Sequence, residues 1–319
     1  MVEPSSPLVV IVILAYNCVA KVSRCLTSLA KLNYPNYQVV VVDNASKDDV
    51  ELMVASEHPD AVFIQTGANL GYTGGNNRGI KYALEHCADY VLILNPDTVV
   101  INPSFVGDLA AYCEAHTEVG VAGPRVYLRT QDDVQNTVLY APGFWRNMWN
   151  WVAYRLAPAK FMKSQDDVVD AEVLNGVCVL LRAACLREVG LFDEMIFMYI
   201  EDADFDHRAR RAGWKVQYMP IDSIVHEQRT SGYHMTSLES FLLRRNSVYY
   251  LYKIGKHFEA WAYAAFSLAV LSLRACLTFN LREIREYALF CKRLLAAYRQ
   301  ILVGQKYDPS FGPPYGGWQ

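Results

Sequence analysis

The sequence lacks any Cys-x-x-Cys pair, and its eight cysteines show no zinc-binding spacing. Most of these cysteines fall within apolar stretches typical of helices or strands, where a free thiol behaves as a small hydrophobic group. This pattern argues against a zinc-binding domain and is typical of proteins from a reduced compartment. We therefore expect a cytoplasmic protein.

The first apolar run does not have the features of a targeting segment. The first apolar run, Leu8 to Leu14, has no basic stretch before it and is followed by Asn17 rather than by a cleavage site. We expect this run to be a buried strand and not a signal peptide.

No apolar run reaches the roughly 20 unbroken residues of a helix that crosses a bilayer. The stretch from Phe258 to Leu273 is almost wholly apolar, and Arg274 interrupts it. A helix lying on a membrane surface and a helix packed in a core both fit this stretch, and the sequence leaves the two open.

The composition is that of a globular protein, because 52% of the 319 residues are hydrophobic and 20% are charged. The net charge of −3 is unevenly distributed. Residues 1–237 hold 19 Lys and Arg against 28 Asp and Glu, a net −9, whereas residues 238–319 hold 11 against 5, a net +6. A basic region beside an acidic one indicates an anionic partner, and a membrane surface fits best.

Apolar runs alternate with helical patterns through the first half of the chain. Leu8–Ala15 and Val39–Val42 are typical of strands buried on both faces of a parallel sheet. Other predicted elements are helices at Asp48–Glu57 and Gly75–His86 and strands at Ala61–Gln65, Tyr90–Leu94, Val177–Arg182, Met195–Ile200 and Lys215–Met219. The alternation predicts a doubly wound α/β sheet over residues 1–237. We expect a helical region over 238–308 and a flexible tail over 309–319.

Polar residues follow several of these strands, at the edge where such sheets bind ligands. Asp43 ends the second strand, where an acid can bond a ribose hydroxyl or cap the next helix. Asp97 follows another buried strand and can help to hold a divalent cation, although Asn-Pro-Asp is also a common turn. His226 ends an apolar run, which makes it a candidate ligand, although a single histidine is more often structural.

A glycine-rich segment, Asn69-Leu-Gly-Tyr-Thr-Gly-Gly-Asn-Asn-Arg-Gly79, leads into a predicted helix. Glycines let a backbone approach a ligand, and a helix N-terminus beside Arg78 favours an anion. The segment is neither Gly-x-Gly-x-x-Gly nor a P-loop, so a tight turn explains it nearly as well.

An acidic helix begins at Glu201 and ends on arginines and Gly213. Acids first and bases last suit the helix dipole, which is a sufficient structural explanation. Alternatively, the predicted strand before the helix brings Glu201 and Asp202 to a cleft, where a carboxylate can accept a proton from a bound hydroxyl.

Taken in order, these motifs resemble those of the inverting family 2 glycosyltransferases of the GT-A fold. The resemblance is closest to bacterial rhamnosyltransferase-like members that build cell-surface polysaccharides, and it covers about residues 8–232. Its motifs are Val-Ile-Leu-Ala-Tyr-Asn17, Val-Val-Asp-Asn-Ala-Ser46, the glycine-rich segment, Leu-Asn-Pro-Asp97, Asn-Gly176, Gly-Leu-Phe-Asp193-Glu, Glu-Asp-Ala-Asp204 with Arg208, and His226.

The resemblance implies roles for individual residues. Asp202 matches the general base, and Asp97 and His226 match the residues that hold Mg²⁺ or Mn²⁺. Tyr16 and Asp43 would hold the nucleotide base and ribose. The remaining residues implied at the donor site are Asn17, Asn69, Gly71, Gly75, Asn77, Arg78, Asn95 and Gly176. Asn95 replaces the first acid of the family's Asp-x-Asp motif, so we expect weaker metal binding in the absence of donor.

The implied activity is transfer of one sugar, L-rhamnose from dTDP-L-rhamnose, to a hydroxyl of a glycan or polyprenyl-linked acceptor. A UDP-hexose donor and a catalytically silent sugar-binding scaffold are the alternatives. Processive synthases of the superfamily carry Gln-x-x-Arg-Trp, which Gln228-Arg229-Thr230 does not provide. We expect the protein at the inner face of the cytoplasmic membrane in peripheral contact with it, with no nucleic-acid partner and with self-association left open.

Overall fold

A computed structural model describes residues 6–128, 133–146, 166–227, 237–277 and 281–302. The chain forms two compact units. The first comprises Met1–Tyr140, Met162–Phe197 and Glu201–Ser231, and the second comprises Ala141–Phe161, Met198–Ile200 and Gly232–Gln319. The predicted tail over 309–319 lies outside the described residues.

The first unit is built from alternating strands and helices. Its strands are β1 (Val9–Ala15), β2 (Tyr37–Asp43), β3 (Val62–Gln65), β4 (Tyr90–Leu94), β5 (Thr98–Val100), β6 (Val119–Leu128), β7 (Val138–Leu139), β8 (Val169–Asp170), β9 (Val173–Leu174), β10 (Cys178–Arg182) and β11 (Lys215–His226). Its helices are α1 (Val19–Leu29), α2 (Val50–Glu57), α3 (Gly71–Glu85), α4 (Phe105–Ala115), α5 (Ala183–Val189) and α6 (Glu201–Arg211).

The main sheet has the order β3-β2-β1-β4-β10-β6-β11-β5, with β8 beside β11. The first four strands are mutually parallel, and β10 runs antiparallel to both of its neighbours. One face of the sheet packs on α1, α2 and α4, and the other packs on α3, α5 and α6. The predicted α/β class, with a doubly wound mixed sheet, is therefore confirmed.

Strand β1 shows why the centre of the sheet forms where it does. Its run of Val, Ile and Leu is almost entirely buried, and alternate side chains pack into the cores on opposite faces. Helix α3 lies directly on this strand, because a Cβ at Gly75 would overlap Leu14 and one at Gly79 would overlap Val12. Close packing of a helix on the sheet thus requires glycine at these two positions.

Two sequence expectations about elements are wrong. Helix α3 begins at Gly71 rather than Gly75, so most of the glycine-rich segment is helix and not the loop before it. The predicted strand Met195–Ile200 is instead a run of turns and bends. Tyr199 and Ile200 have φ angles of 70° and 78°, which an extended strand cannot accommodate.

In the second unit, the described residues from Ser237 onward form helices, as the sequence predicts. Its helices α7 (Ser237–Lys253), α8 (His257–Leu277) and α9 (Leu281–Leu302) pack against one another. The buried Asn246 of α7 donates from Nδ2 to the carbonyl oxygens of Met198 and Tyr199, at 2.8 and 2.9 Å. None of the helices described is both long and apolar enough to cross a membrane.

Candidate active site at the carboxyl edge of the sheet

Three parallel strands end at the same edge of the sheet. In the strand register Ala15 pairs with Asp43, and Ile13 pairs with Leu94. The polar residues that follow these strands therefore emerge side by side, although they are far apart in sequence. This edge is where a doubly wound sheet forms its ligand site.

Asp97 and His226 are brought together by the backbone. Thr98 pairs with His226 across the antiparallel strands β5 and β11, and the Glu227 N–H donates to the Asp97 carbonyl oxygen at 2.8 Å. As a result, His226 Nε2 lies 3.2 Å from Asp97 Oδ1. The second oxygen, Asp97 Oδ2, accepts a hydrogen bond from Lys21 Nζ at 3.1 Å.

Gln135 orients the His226 ring, because His226 Nδ1 donates to Gln135 Oε1 at 2.9 Å. In neutral imidazole this leaves the lone pair of Nε2 facing the Asp97 carboxylate. Two acceptors at this distance attract only if a proton or a cation lies between them. Burial raises the pKa of Asp97, but His226 and Lys21 outweigh that effect, and the pKa falls below its ordinary value.

The side-chain atoms of Asp97 and His226 supply part of a coordination shell for a divalent cation. Carboxylate oxygen and imidazole nitrogen both suit Mg²⁺ or Mn²⁺. Within the described ranges no group of three or more His, Cys, Asp or Glu side chains could hold a metal ion. Because Asn95 stands where a second acid would, a cation on Asp97 and His226 needs further oxygens from substrate and water.

Asp202 lies in the first turn of α6 and is partly exposed. Its Oδ1 accepts a hydrogen bond from the Ala203 N–H at 2.8 Å. Burial raises the pKa of Asp202 to about 6, against the opposing effect of hydrogen bonds from backbone N–H groups, including that of Gly176. The next residue, Val177, accepts a hydrogen bond from the Asn95 N–H at 2.9 Å, which connects this carboxylate to the turn that carries Asp97.

The later acids of α6 have structural partners. Asp204 Oδ2 accepts from Arg208 Nε at 2.9 Å, and Asp206 Oδ2 accepts from the Leu174 N–H at 2.7 Å. Both acids are buried, and Arg208 also donates to the carbonyl oxygens of Val189 and Leu191. Packing of α6 therefore accounts for these two carboxylates.

Asp43 is buried and bonded at the end of β2. Its carboxylate accepts from the Ser46 N–H at 3.1 Å and from Gln65 Nε2 at 2.7 Å. It does not cap the next helix, because α2 begins only after Asp49. The loop is tied to β1, since the Asn17 N–H donates to Ser46 Oγ at 3.0 Å, while the neighbouring Tyr16 remains exposed.

At the start of α3, backbone N–H groups donate hydrogen bonds to other groups of the protein, a detail that the sequence does not indicate. The Gly71 N–H donates to Asn69 Oδ1 at 2.9 Å, and the Tyr72 N–H donates to the Phe197 carbonyl oxygen at 2.7 Å. These two N–H groups are therefore bonded within the protein, and the donor site expected at the glycine-rich segment stays a prediction. Asn77 is buried and donates from Nδ2 to the Phe192 carbonyl oxygen at 2.9 Å, whereas Arg78 is exposed.

Four residues that shape this edge were given no individual role by the sequence. Lys21 and Gln135 contact Asp97 and His226, and no motif marks either of them. Asn44 ties the β2 end to the glycine-rich segment through Asn69 Oδ1 at 2.9 Å. Tyr72 donates from its hydroxyl to the Gly176 carbonyl oxygen at 2.8 Å. Asn44 directly follows a strand end and stands in the Val-Val-Asp-Asn-Ala-Ser46 motif.

Comparison with known proteins gives consistent matches. A sequence profile described as glycosyltransferase like family 2 matches residues 6–246, well over half of the chain. The N-acetylglucosaminyl-diphospho-decaprenol L-rhamnosyltransferase of Mycobacterium tuberculosis is 28% identical over 275 residues, covering 79% of this chain and 85% of that protein. The low-salt glycan biosynthesis hexosyltransferase of Haloferax volcanii is 30% identical over 192 residues, covering 60% of this chain and 59% of that protein.

A solved structure has the same fold. The mannosyltransferase PcManGT from Pyrobaculum calidifontis, in complex with GDP-Man and Mn²⁺, superposes with a TM-score of 0.55 at 19% identity. The match covers 94% of this chain and 88% of that one.

Proposed function

The chain belongs to the glycosyltransferase-like family 2, and on that premise we propose that it transfers a single sugar, with inversion, from a nucleotide-diphosphate donor to an acceptor hydroxyl. The favoured donor is dTDP-L-rhamnose, because the Mycobacterium tuberculosis relative is named as an L-rhamnosyltransferase and the motifs resemble that subgroup. A UDP-hexose is the alternative donor, since the Haloferax volcanii relative is named as a hexosyltransferase.

We assign the nucleotide to the ends of β1 and β2. Tyr16 is 47% exposed and offers an aromatic face to a base. The two carboxylate oxygens of Asp43 can accept about four hydrogen bonds, and Ser46 and Gln65 use only some of these. Asp43 can therefore still accept a hydrogen bond from an N–H or O–H group of the nucleotide. Asn17, Asn69, Arg78, Asn95 and Gly176 remain proposed contributors to this site.

We assign the cation to Asp97 and His226. The facing lone pair and carboxylate support this, as does Mn²⁺ in the PcManGT complex of the same fold. Mg²⁺ or Mn²⁺ held there would balance the charge of the donor diphosphate. Gln135 would hold the ring proton on Nδ1 when a cation is bound, which would leave the Nε2 lone pair of His226 for that cation.

Asp202 is the proposed general base. With a pKa of about 6 it is ionised at neutral pH and still basic enough to take a proton from an attacking hydroxyl. The acceptor oxygen forms a bond to the anomeric carbon while the bond to the diphosphate breaks on the opposite face. Its proton passes to Asp202, and the configuration at that carbon inverts in this one step.

The acceptor is proposed to be a glycan or polyprenyl-linked saccharide at the inner face of the cytoplasmic membrane. The name of the Mycobacterium tuberculosis relative describes an acceptor on a decaprenol diphosphate. Helix α8 exposes Phe258, Trp261 and Leu273 at 73%, 55% and 60%, and helical spacing places them on one side. Together with the net charge of +6 over residues 238–319, this favours peripheral contact with an anionic lipid surface.

The observation that carries the proposal is the contact of Asp97 with His226. Hydrogen bonds through Val177 and Gly176 connect the turn of Asp97 to Asp202, whose pKa suits a base. The test is to incubate the purified chain with Mn²⁺ and a panel of nucleotide sugars and to measure release of nucleoside diphosphate. We expect slow hydrolysis of one donor, led by dTDP-L-rhamnose. Binding of a donor with no hydrolysis, and no transfer to a lipid-linked acceptor, would instead favour the silent scaffold that Asn95 suggests.

A further inference from the structure

Lys21 contacts the oxygen of Asp97 that His226 leaves open. Asp97 Oδ1 faces His226 at 3.2 Å, and Oδ2 faces the Lys21 ammonium at 3.1 Å. The side chain of Lys21 is 40% exposed, whereas that of His226 is 6% exposed and held by Gln135. Of the two partners of this carboxylate, Lys21 is therefore the one that can move away.

The position of Lys21 is not favourable for the helix that carries it. Helix α1 begins at Val19, so Lys21 lies in its first turn, at the end where the helix dipole places a partial positive charge. The carboxylate of Asp97 offsets this repulsion. The ion pair thus balances the charge of Asp97 within the free protein.

A divalent cation on Asp97 and His226 would lie close to this ammonium. Like charges a few ångströms apart repel strongly at a partly buried site, so the cation and Lys21 compete for one carboxylate. A donor diphosphate that arrives with the cation brings new anionic oxygens. A lysine side chain is long and flexible enough to turn from a carboxylate to a nearby phosphate.

We propose that Lys21 is a displaceable cation of the donor site. It neutralises Asp97 in the free protein and donates to the diphosphate of the bound donor once the metal occupies Asp97. When the bond from the anomeric carbon to the diphosphate breaks, its electron pair stays on the diphosphate oxygen, and the ammonium stabilises that charge without giving up its proton. This inference rests on the proposed function.

The test is Lys21→Met, which keeps the length of the side chain and removes its charge. Isothermal titration of the protein with Mn²⁺ alone should show about tenfold tighter binding in the variant, because the competing charge is gone. Binding of dTDP or UDP at saturating Mn²⁺ should weaken about tenfold, because a charge-assisted hydrogen bond to phosphate is lost. Lys21→Arg should retain most of the nucleotide affinity.

Lys31→Met is the matched control, because Lys31 is exposed just beyond the other end of α1. It should change neither affinity. If Lys21→Met matches wild type in both titrations, Lys21 is only a structural ion pair and the inference is overturned. If wild type binds no nucleotide even with Mn²⁺, the proposed function fails. If wild type binds nucleotide and Lys21→Met binds it equally well, only the role of Lys21 fails.

Discussion

At Asp202, burial and hydrogen bonding act in opposite directions. Burial favours the neutral acid, while the N–H groups of Ala203 and Gly176 favour the carboxylate, and the resulting pKa is about 6. Asp206 in the same helix is bonded to Leu174, and burial raises its pKa well above the ordinary range. Of these two carboxyl groups of one helix, only Asp202 is partly open to solvent, as a proposed base must be.

Asp202→Asn should abolish transfer while leaving donor binding nearly unchanged, because the amide keeps the shape of the side chain and cannot accept the proton. We expect a loss of about 10² to 10⁴-fold in kcat. Transfer is measured with the donor identified by hydrolysis, and donor binding is measured by titration. Asp60→Asn, at an exposed acid, should retain full activity. Normal transfer by Asp202→Asn would rule out this residue as the base.

Asp97→Ala should weaken binding of both Mn²⁺ and donor, because it removes the charged ligand of the proposed cation. Titration of donor at fixed Mn²⁺ should show about tenfold or greater loss of affinity. His226→Ala should give a similar loss, and the double variant should be little worse than either single one, since both act on one cation. Additive losses, or an unchanged donor affinity in Asp97→Ala, would contradict a shared metal site.

At the scale of secondary structure, α3 depends on glycine for its distance from the sheet. Gly75→Ala should destabilise the protein by about 1 to 3 kcal/mol, because the new methyl group overlaps Leu14. Chemical denaturation gives the free energy of unfolding. Gly107→Ala in α4 is the control, because there a Cβ would lie 3.3 Å from Tyr34 and higher helix propensity offsets the tight contact. Equal stability of the two variants would argue against close packing at Gly75.

Helix α8 presents an apolar side to solvent, and this predicts lipid binding. Sedimentation with anionic phosphatidylglycerol vesicles should fall by about tenfold in a Phe258→Ser, Trp261→Ser double variant, because two large apolar groups no longer enter the lipid. Leu52→Ser is the matched control, since Leu52 is 68% exposed on α2 and should not affect sedimentation. If the double variant sediments like wild type, α8 is not the lipid-binding element.

At the scale of the whole molecule, the raised pKa of Asp202 makes stability depend on pH. The folded pKa of about 6 lies above the ordinary 3.8, so the fold favours the protonated acid. The stability that this contributes is complete below about pH 4 and is lost as the pH rises through about 6. The proposed base is therefore held ionised at a cost to stability at neutral pH.

Asp202→Asn should consequently be more stable than wild type at pH 8, by about 2 to 3 kcal/mol, and equally stable at pH 4. Denaturation at both pH values measures this difference, with Asp60→Asn as the control at an exposed acid. A variant that gains no stability at pH 8 would show that burial does not raise this pKa.

Much of the sheet could be predicted from the amino-acid sequence. Runs such as Val9–Ala15 are apolar enough to be unfavourable in water, and they have the β-branched composition of buried strands. Their place in the sheet therefore follows from local chemistry. Met195–Ile200 has a similar composition, but its carbonyl groups bond to Tyr72 and Asn246 rather than to a neighbouring strand. Those partners lie far away in sequence, and no local pattern indicates them.

The motifs likewise identified Asp97, Asp202 and His226 as candidates, because carboxylates and imidazoles at strand and helix ends are the groups that can do this chemistry. Three contacts form only in the folded chain. Thr98 pairs with His226, Gln135 orients the imidazole, and Lys21 donates to the second oxygen of Asp97. Local chemistry determines which groups are available. Contacts between distant segments determine their partners, and with them their charge, orientation and use.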